Sequence, residues 1–267
     1  MTVAAKKRAQ PREGYPTTYR GQHDMIQWWQ WSMEVEERSL ESYRPFIKRG
    51  DLVFDIGANQ GRKTYIFRKL GAKVVAVDPL FAWRDEFVPE FYWKWGQDPD
   101  VQVVAKAVSK EPVVVLHINK FMPWISSGHT AWMTESAHSV KAGQVYYAPK
   151  SLIKRTVQTI TLDGLINIYG IPAFIKIDVE GAEDEVVQTL TTPVRALNME
   201  FHQDWIPERA MRHMDELGEY RWNYCLNNVG AFIRDQWTDS KNLMHYLGKH
   251  LRKRGNESWG DIYGRLD

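Results

Sequence analysis

The chain has 267 residues, 43% of them hydrophobic, with 35 basic against 33 acidic side chains and a net charge of +2. That balance gives no electrostatic case for a dedicated nucleic-acid binder, although Lys6-Lys7-Arg8 and the run from Lys249 to Arg254 concentrate positive charge near the two ends. A single cysteine, Cys225, excludes an intrachain disulfide and a cysteine-only metal centre; with no signal-peptide core and no apolar run of membrane-spanning length, the expectation is a soluble cytoplasmic protein.

Residues 1–23, polar and containing Pro11 and Pro16, read as a flexible arm, and residues 24–267 as one domain. Asp24 to Arg49 suits a helix with Trp28, Trp29, Trp31, Met33 and Leu40 as packing side chains, interrupted before Pro45 and closed by Gly50. Asp51 to Asp55 is a short apolar strand ending in a carboxylate. Arg62 to Leu70 is a helix closed by Gly71, and Lys73 to Val77 a β-branched buried strand.

The aromatic stretch Leu80 to Asp100 contains a helix, Val101 to Val108 a third strand and its exit, and Val113 to Ile118 a further extended run. Asn119 to Lys154 lacks periodicity and is the expected substrate lid. Val157 to Leu162 then leads to a helix from Asp163 to Tyr169, a strand from Ala173 to Asp178, a helix from Glu180 to Leu190 and a strand from Val194 to Phe201. A helix from Pro207 to Leu217 follows. Tyr220 to Leu226 and Gly230 to Arg234 read as a hairpin about Asn227-Asn228-Val229-Gly230. The alternation of strand and helix predicts an α/β, Rossmann-like, doubly wound sheet, mostly parallel, with an antiparallel C-terminal hairpin strand.

Two segments carry chemistry. In the first, Val53 to Gly61 gives strand, carboxylate and glycine turn, followed by a second strand ending in Asp78. A dinucleotide site would set its pyrophosphate against the helix N-terminus, where Asp55 would repel it. S-adenosylmethionine removes that conflict, because it has no phosphate and carries an ammonium and a sulfonium. Asp55 with Gly57, Ala58, Asn59 and Gly61 would then hold the methionyl end, Asp78 the ribose hydroxyls, and Lys106-Ala107 the adenine.

The second segment, Ile175 to Glu183, again ends a buried strand in an acid. Asp178 and Glu180 would flank the transferring methyl group, orient the acceptor or act as a base, and with Glu200 could hold a divalent cation. Asp178 is also counted among the cofactor contacts. His202 is the first candidate base and His129, in the lid, the second.

Val53 to Gly61, Asp78-Pro79 and Lys176-Ile-Asp-Val-Glu-Gly-Ala-Glu183 together resemble the FkbM-type family of S-adenosylmethionine-dependent methyltransferases, over about Asp51 to Phe201. Trp259-Gly-Asp-Ile-Tyr263 is also of a kind seen in that family. The resemblance implies a seven-stranded methyltransferase sheet and O-methylation of a hydroxyl on a sugar, glycan or secondary metabolite. It departs from the family in having Asp78 where the second-strand acid is usually Glu. The expected partner is a small-molecule or glycan acceptor rather than a nucleic acid or a membrane, with a homo-oligomer left open. The alternatives are a methyltransferase of RNA or protein and a non-catalytic cofactor-binding module.

Overall fold

A computed structural model describes residues 36–119, 126, 152–202, 206–226, 230–254 and 259–267. The N-terminal arm, the tryptophans at 28, 29 and 31, Met33, most of the lid with His129, and the turn at 227–229 lie outside the described residues.

The described chain runs through α1 (Leu40–Tyr43), β1 (Leu52–Ile56), α2 (Arg62–Lys69), β2 (Lys73–Val77), a 3-10 turn (Pro79–Trp83), α3 (Arg84–Phe87) and α4 (Pro89–Trp95). It continues through β3 (Val101–Val104), β4 (Ala107–Val108), β5 (Val113–Asn119), β6 (Leu152–Ile160), α5 (Leu162–Tyr169), β7 (Phe174–Ile177) and α6 (Glu183–Val187). The last elements are β8 (Ala196–His202), α7 (Glu208–Leu217), β9 (Tyr220–Leu226), α8 (Ser240–Arg254) and β10 (Trp259–Leu266).

Seven strands form one sheet in the order β3-β2-β1-β7-β8-β10-β9. The pairs from β3 to β8 are all parallel, while β10 is antiparallel to both of its neighbours. Strand residues alternate between two cores, as a period of two requires. Phe54, Ile56, Val75 and Val77 pack on the side of α5, α6, α7 and α8, whereas Val53, Val74 and Ala76 pack on the side of α1, α2 and α4. Burial on both faces explains why these strands read as continuous apolar runs. A smaller sheet, β4-β6-β5, stands beside the main one.

Local signals set the helix ends. Thr161 Oγ1 accepts the Gly164 amide at 2.9 Å and so caps α5. The expected lid is narrower than its sequence bounds, since Asn119 closes β5 and Leu152 to Lys154 open β6, paired antiparallel.

The predicted hairpin is corrected. Tyr220 to Leu226 pairs along its length with β10, from Tyr220 opposite Leu266 to Leu226 opposite Gly260. Gly230 to Arg234 forms no strand and touches β9 only locally, with the Ile233 amide donating to the Tyr224 carbonyl at 2.9 Å. The reason is reach: β10 satisfies its backbone groups on both sides, against β8 and β9, and buries Ile262 and Tyr263 on opposite faces.

Candidate active site

The parallel strands β1, β2 and β7 end at one edge of the sheet, and the loops beyond them enclose a cavity of about 420 Å³. This is the crevice at the carboxyl ends of the strands, where order reverses between β1 and β7. Of the sequence-predicted residues, Gly57, Ala58, Asn59, Asp78, Lys106, Ala107, Asp178, Glu180 and Glu200 line it; Asp55, Gly61 and His202 do not.

Gly57 makes the closest approach in the fold's central turn. It has φ +79°, and a Cβ there would lie 1.8 Å from the Asp178 carbonyl oxygen, so the β1 and β7 exits can touch only because that side chain is absent. The amides of the turn are committed internally: Gly57 and Ala58 donate to the Val77 carbonyl at 2.8 and 3.1 Å, and Asn59 donates to Asp78 Oδ2 at 2.8 Å. The turn therefore offers a ligand close contact more than a nest of donors.

Asp78 accepts that amide on one oxygen and the Leu80 amide on the other, at 2.8 Å, which also caps the 3-10 turn. Burial raises its pKa to about 6 against the opposing pull of the two amides. Each oxygen keeps acceptor capacity beyond the one amide it holds.

Asp55, expected among the cofactor contacts, stands behind the cavity lining. Its carboxylate is fully buried, accepts Thr64 Oγ1 at 2.6 Å and lies 3.8 Å from Lys176 Nζ. Burial raises its pKa despite that cation. Lys176 is the residue whose role the sequence reading missed. Its ammonium sits 3.1 Å from Asp178 Oδ2, donates to the Gly57 carbonyl at 3.1 Å and ties the ends of β1 and β7 together. Burial lowers the Lys176 pKa, but Asp178 and Asp55 outweigh it and the net shift is upward. A lysine inside a buried strand, flanked two residues away by an acid, was the available signal.

Beyond Lys176 the cavity wall is acidic. Burial would raise Asp178, yet Lys176 holds it below the usual carboxylate range. Burial followed by Glu200 pushes Glu180 well up; burial followed by Asp178 pushes Glu200 up to about 8. Glu183 rises to about 7 by burial although it accepts the Val179 amide at 3.0 Å. Glu180 has φ +57°, a left-handed conformation uncommon for a glutamate, in the turn that swings its side chain toward Glu200.

His202 Nε2 lies 3.1 Å from Glu200 Oε2. Burial would lower its pKa, but the hydrogen bond and charge of Glu200 raise it. A carboxylate so placed orients the imidazole and raises its proton affinity, an arrangement compatible with the base expected at His202. Of the cation set expected from sequence, Glu180 and Glu200 lie together, and among the described residues their ligand atoms fall within 4.8 Å of one another and of His202, while Asp178 pairs with Lys176 at 3.1 Å.

Buried polar pairs continue the wall and back it. Lys63 pairs with Glu36, another cavity-lining residue, and Asn198 Nδ2 donates to Asp261 Oδ1 at 3.0 Å. Burial raises Asp261 to about 6, opposed by Lys63.

A seven-stranded, mostly parallel sheet with the last strand reversed, and a cavity at the carboxyl ends of its first strands, define a Rossmann-like methyltransferase fold. Residues 55–234 match the family model of the methyltransferase FkbM domain, and the chain belongs to that family of S-adenosylmethionine-dependent methyltransferases.

Among solved structures the chain is similar to precorrin-6y C5,15-methyltransferase from Geobacter metallireducens, at 9% identity and TM-score 0.44, covering 88% of each chain. It is similar to the plantazolicin methyltransferase BpumL in complex with SAH, at 10% identity and TM-score 0.40, covering 92% of this chain and 90% of that one. An rRNA methylase from Streptococcus thermophilus gives 8% identity and TM-score 0.38, covering 86% and 95%. No curated protein matches the sequence.

Proposed function

We propose that the chain is an S-adenosylmethionine-dependent O-methyltransferase acting on a hydroxyl of a sugar, glycan or secondary metabolite, with residues 24–267 as its catalytic domain. The observation that carries this reading is the polarity of one cavity, which has Asp78 and the Lys106-Ala107 strand exit on its β2–β3 side and the carboxylates of Asp178, Glu180 and Glu200 on its β7–β8 side. Asp78 accepts the ribose hydroxyls. Lys106 and Ala107 bound the adenine. The turn from Gly57 to Gly61 passes close to the methionyl group, whose ammonium is drawn to Asp178.

Asp55 acts at one remove, by fixing Lys176 and hence the turn. The acid cluster then seats the acceptor. Its hydroxyl oxygen forms the new C–O bond as the S–CH₃ bond breaks, the electron pair of that bond neutralises the sulfonium, and the hydroxyl proton leaves to solvent. Holding oxygen, carbon and sulfur in line supplies much of the rate enhancement.

Calorimetric titration with S-adenosylmethionine and S-adenosylhomocysteine, with NAD as control, tests the cofactor half of this reading. Micromolar binding of both, and none of NAD, is expected. Asp78→Ala removes a charge-assisted hydrogen bond worth about 1.5–3 kcal/mol, so affinity should fall roughly 10- to 150-fold. An unchanged affinity in that variant would remove Asp78 from the ribose site. Methylation of an amine or a nucleic acid in preference to every hydroxylated acceptor would overturn the O-methyl assignment.

A further inference from the structure

At the acceptor end of the cavity two lining carboxylates, Glu180 and Glu200, meet the imidazole of His202, which stands just outside the lining. Glu200 and His202 are two apart on β8 and so project to the same side, and Glu180 reaches them from the turn after β7. One ligand atom from each lies within 4.8 Å of the others, and the His202 Nε2 to Glu200 Oε2 separation is 3.1 Å. Ligand atoms about 2.1 Å from a common cation sit about 3.0 Å apart at right angles and about 4.2 Å apart across it. The His202–Glu200 spacing already matches the right-angle value, and Glu180 stands close enough to join the set by side-chain rotation. The side chains are partly exposed rather than sealed, which leaves an entry path.

We propose that Glu180, Glu200 and His202 bind one divalent first-row transition-metal ion at the acceptor end of the cavity. Two carboxylate oxygens and one imidazole nitrogen form a mixed set: the oxygens suit manganese and magnesium, and the nitrogen favours manganese, iron or zinc over magnesium. Three protein ligands leave coordination positions open, and Glu180 and Glu200 both line the cavity, so those positions are within reach of a bound acceptor.

This inference rests on the proposed O-methyl transfer, for which it supplies the activation step. A hydroxyl oxygen coordinated to the cation loses its proton to solvent more readily, and the resulting alkoxide is the nucleophile for the methyl group. In this arrangement His202 serves as a ligand. Asp178 stays with Lys176 and is not part of the set.

The test is direct binding of Mn²⁺ to the full chain without cofactor, read as loss of the free-ion electron paramagnetic resonance signal. One ion per chain is expected, with Mg²⁺ a weak competitor, and with Glu180→Gln and His202→Ala each weakening Mn²⁺ at least tenfold. Retained S-adenosylhomocysteine binding shows that a variant is folded. In the unmutated chain, Mn²⁺ should broaden the imidazole resonances of one histidine ahead of the rest. No tight Mn²⁺ binding, or equal binding in both variants, overturns the proposal. If S-adenosylhomocysteine binds while Mn²⁺ does not, the cation site alone fails; if S-adenosylhomocysteine does not bind, the cofactor reading fails with it.

Discussion

At the scale of single residues, Lys176 carries more than its place in the sequence suggests. With only 3% of its side chain exposed, it faces Asp55, which is fully buried, and Asp178, which is about one-third exposed. Removing one member of a buried ion cluster leaves the others uncompensated, at a cost of about 3–5 kcal/mol. Lys176→Met should therefore lower the thermal midpoint by many degrees, and adding Asp55→Asn should recover part of the loss by deleting one of the stranded charges. A melt of Lys176→Met that overlays that of the unmutated chain would show that the lysine neutralises nothing of consequence. Asp55 shows why its role was hard to read: a carboxylate ending a strand before a glycine turn looks the same in sequence whether it points at the ligand or, as here, at Thr64 and Lys176.

At the scale of elements, the two exits that form the site are bound to each other through Gly57. A methyl group there would meet the Asp178 carbonyl at 1.8 Å, and φ +79° is itself adverse for any other residue. Gly57→Ala should abolish cofactor binding in calorimetry and reduce stability by more than the about 1–3 kcal/mol of ordinary overpacking; intact binding would mean that the turn can move aside. The buried runs around Phe54, Val75 and Ile175 made β1, β2 and β7 legible, because both of their faces are apolar, and the glycine turn with Asp78 placed the cavity.

The pairing of β9 was not legible. Its partner lies more than thirty residues away, and the nearer Gly230 to Arg234 offered a local turn signal that a longer, two-sided strand outcompetes. The meeting of Glu180 with Glu200 was read from the sequence, but the place of His202 beside them was not, since it depends on a left-handed residue and on strand register rather than on spacing.

At the scale of the whole molecule, the concentration of carboxylates makes stability depend on pH. Asp78 and Asp261 at about 6, Glu183 at about 7 and Glu200 at about 8 all retain protons in the folded chain at pH values where the unfolded chain has lost them. Stability then falls as pH rises, by about 1.4 kcal/mol per pH unit for each extra proton held. The lowered values of Asp178 and Glu36 act in the opposite direction, at the acidic end. The ligand-free chain should accordingly resist denaturant better near pH 5.5 than near pH 8. A midpoint that rises between those values would contradict this distribution of charge.

The reversed strand β10 also imposes an order on synthesis. Trp259 stands on the cavity wall, Asp261 lies opposite Glu200, and β8 and β9 have no contact in the sheet except through this strand. A nascent chain can therefore pair β1, β2, β3, β7 and β8 while still on the ribosome, but its acceptor end stays unfinished until residues 259–266 have emerged and slid between two waiting edges. A polypeptide lacking residues 259–266 would keep the five parallel strands but leave bare edges on β8 and β9, a target for chaperones rather than a slow enzyme.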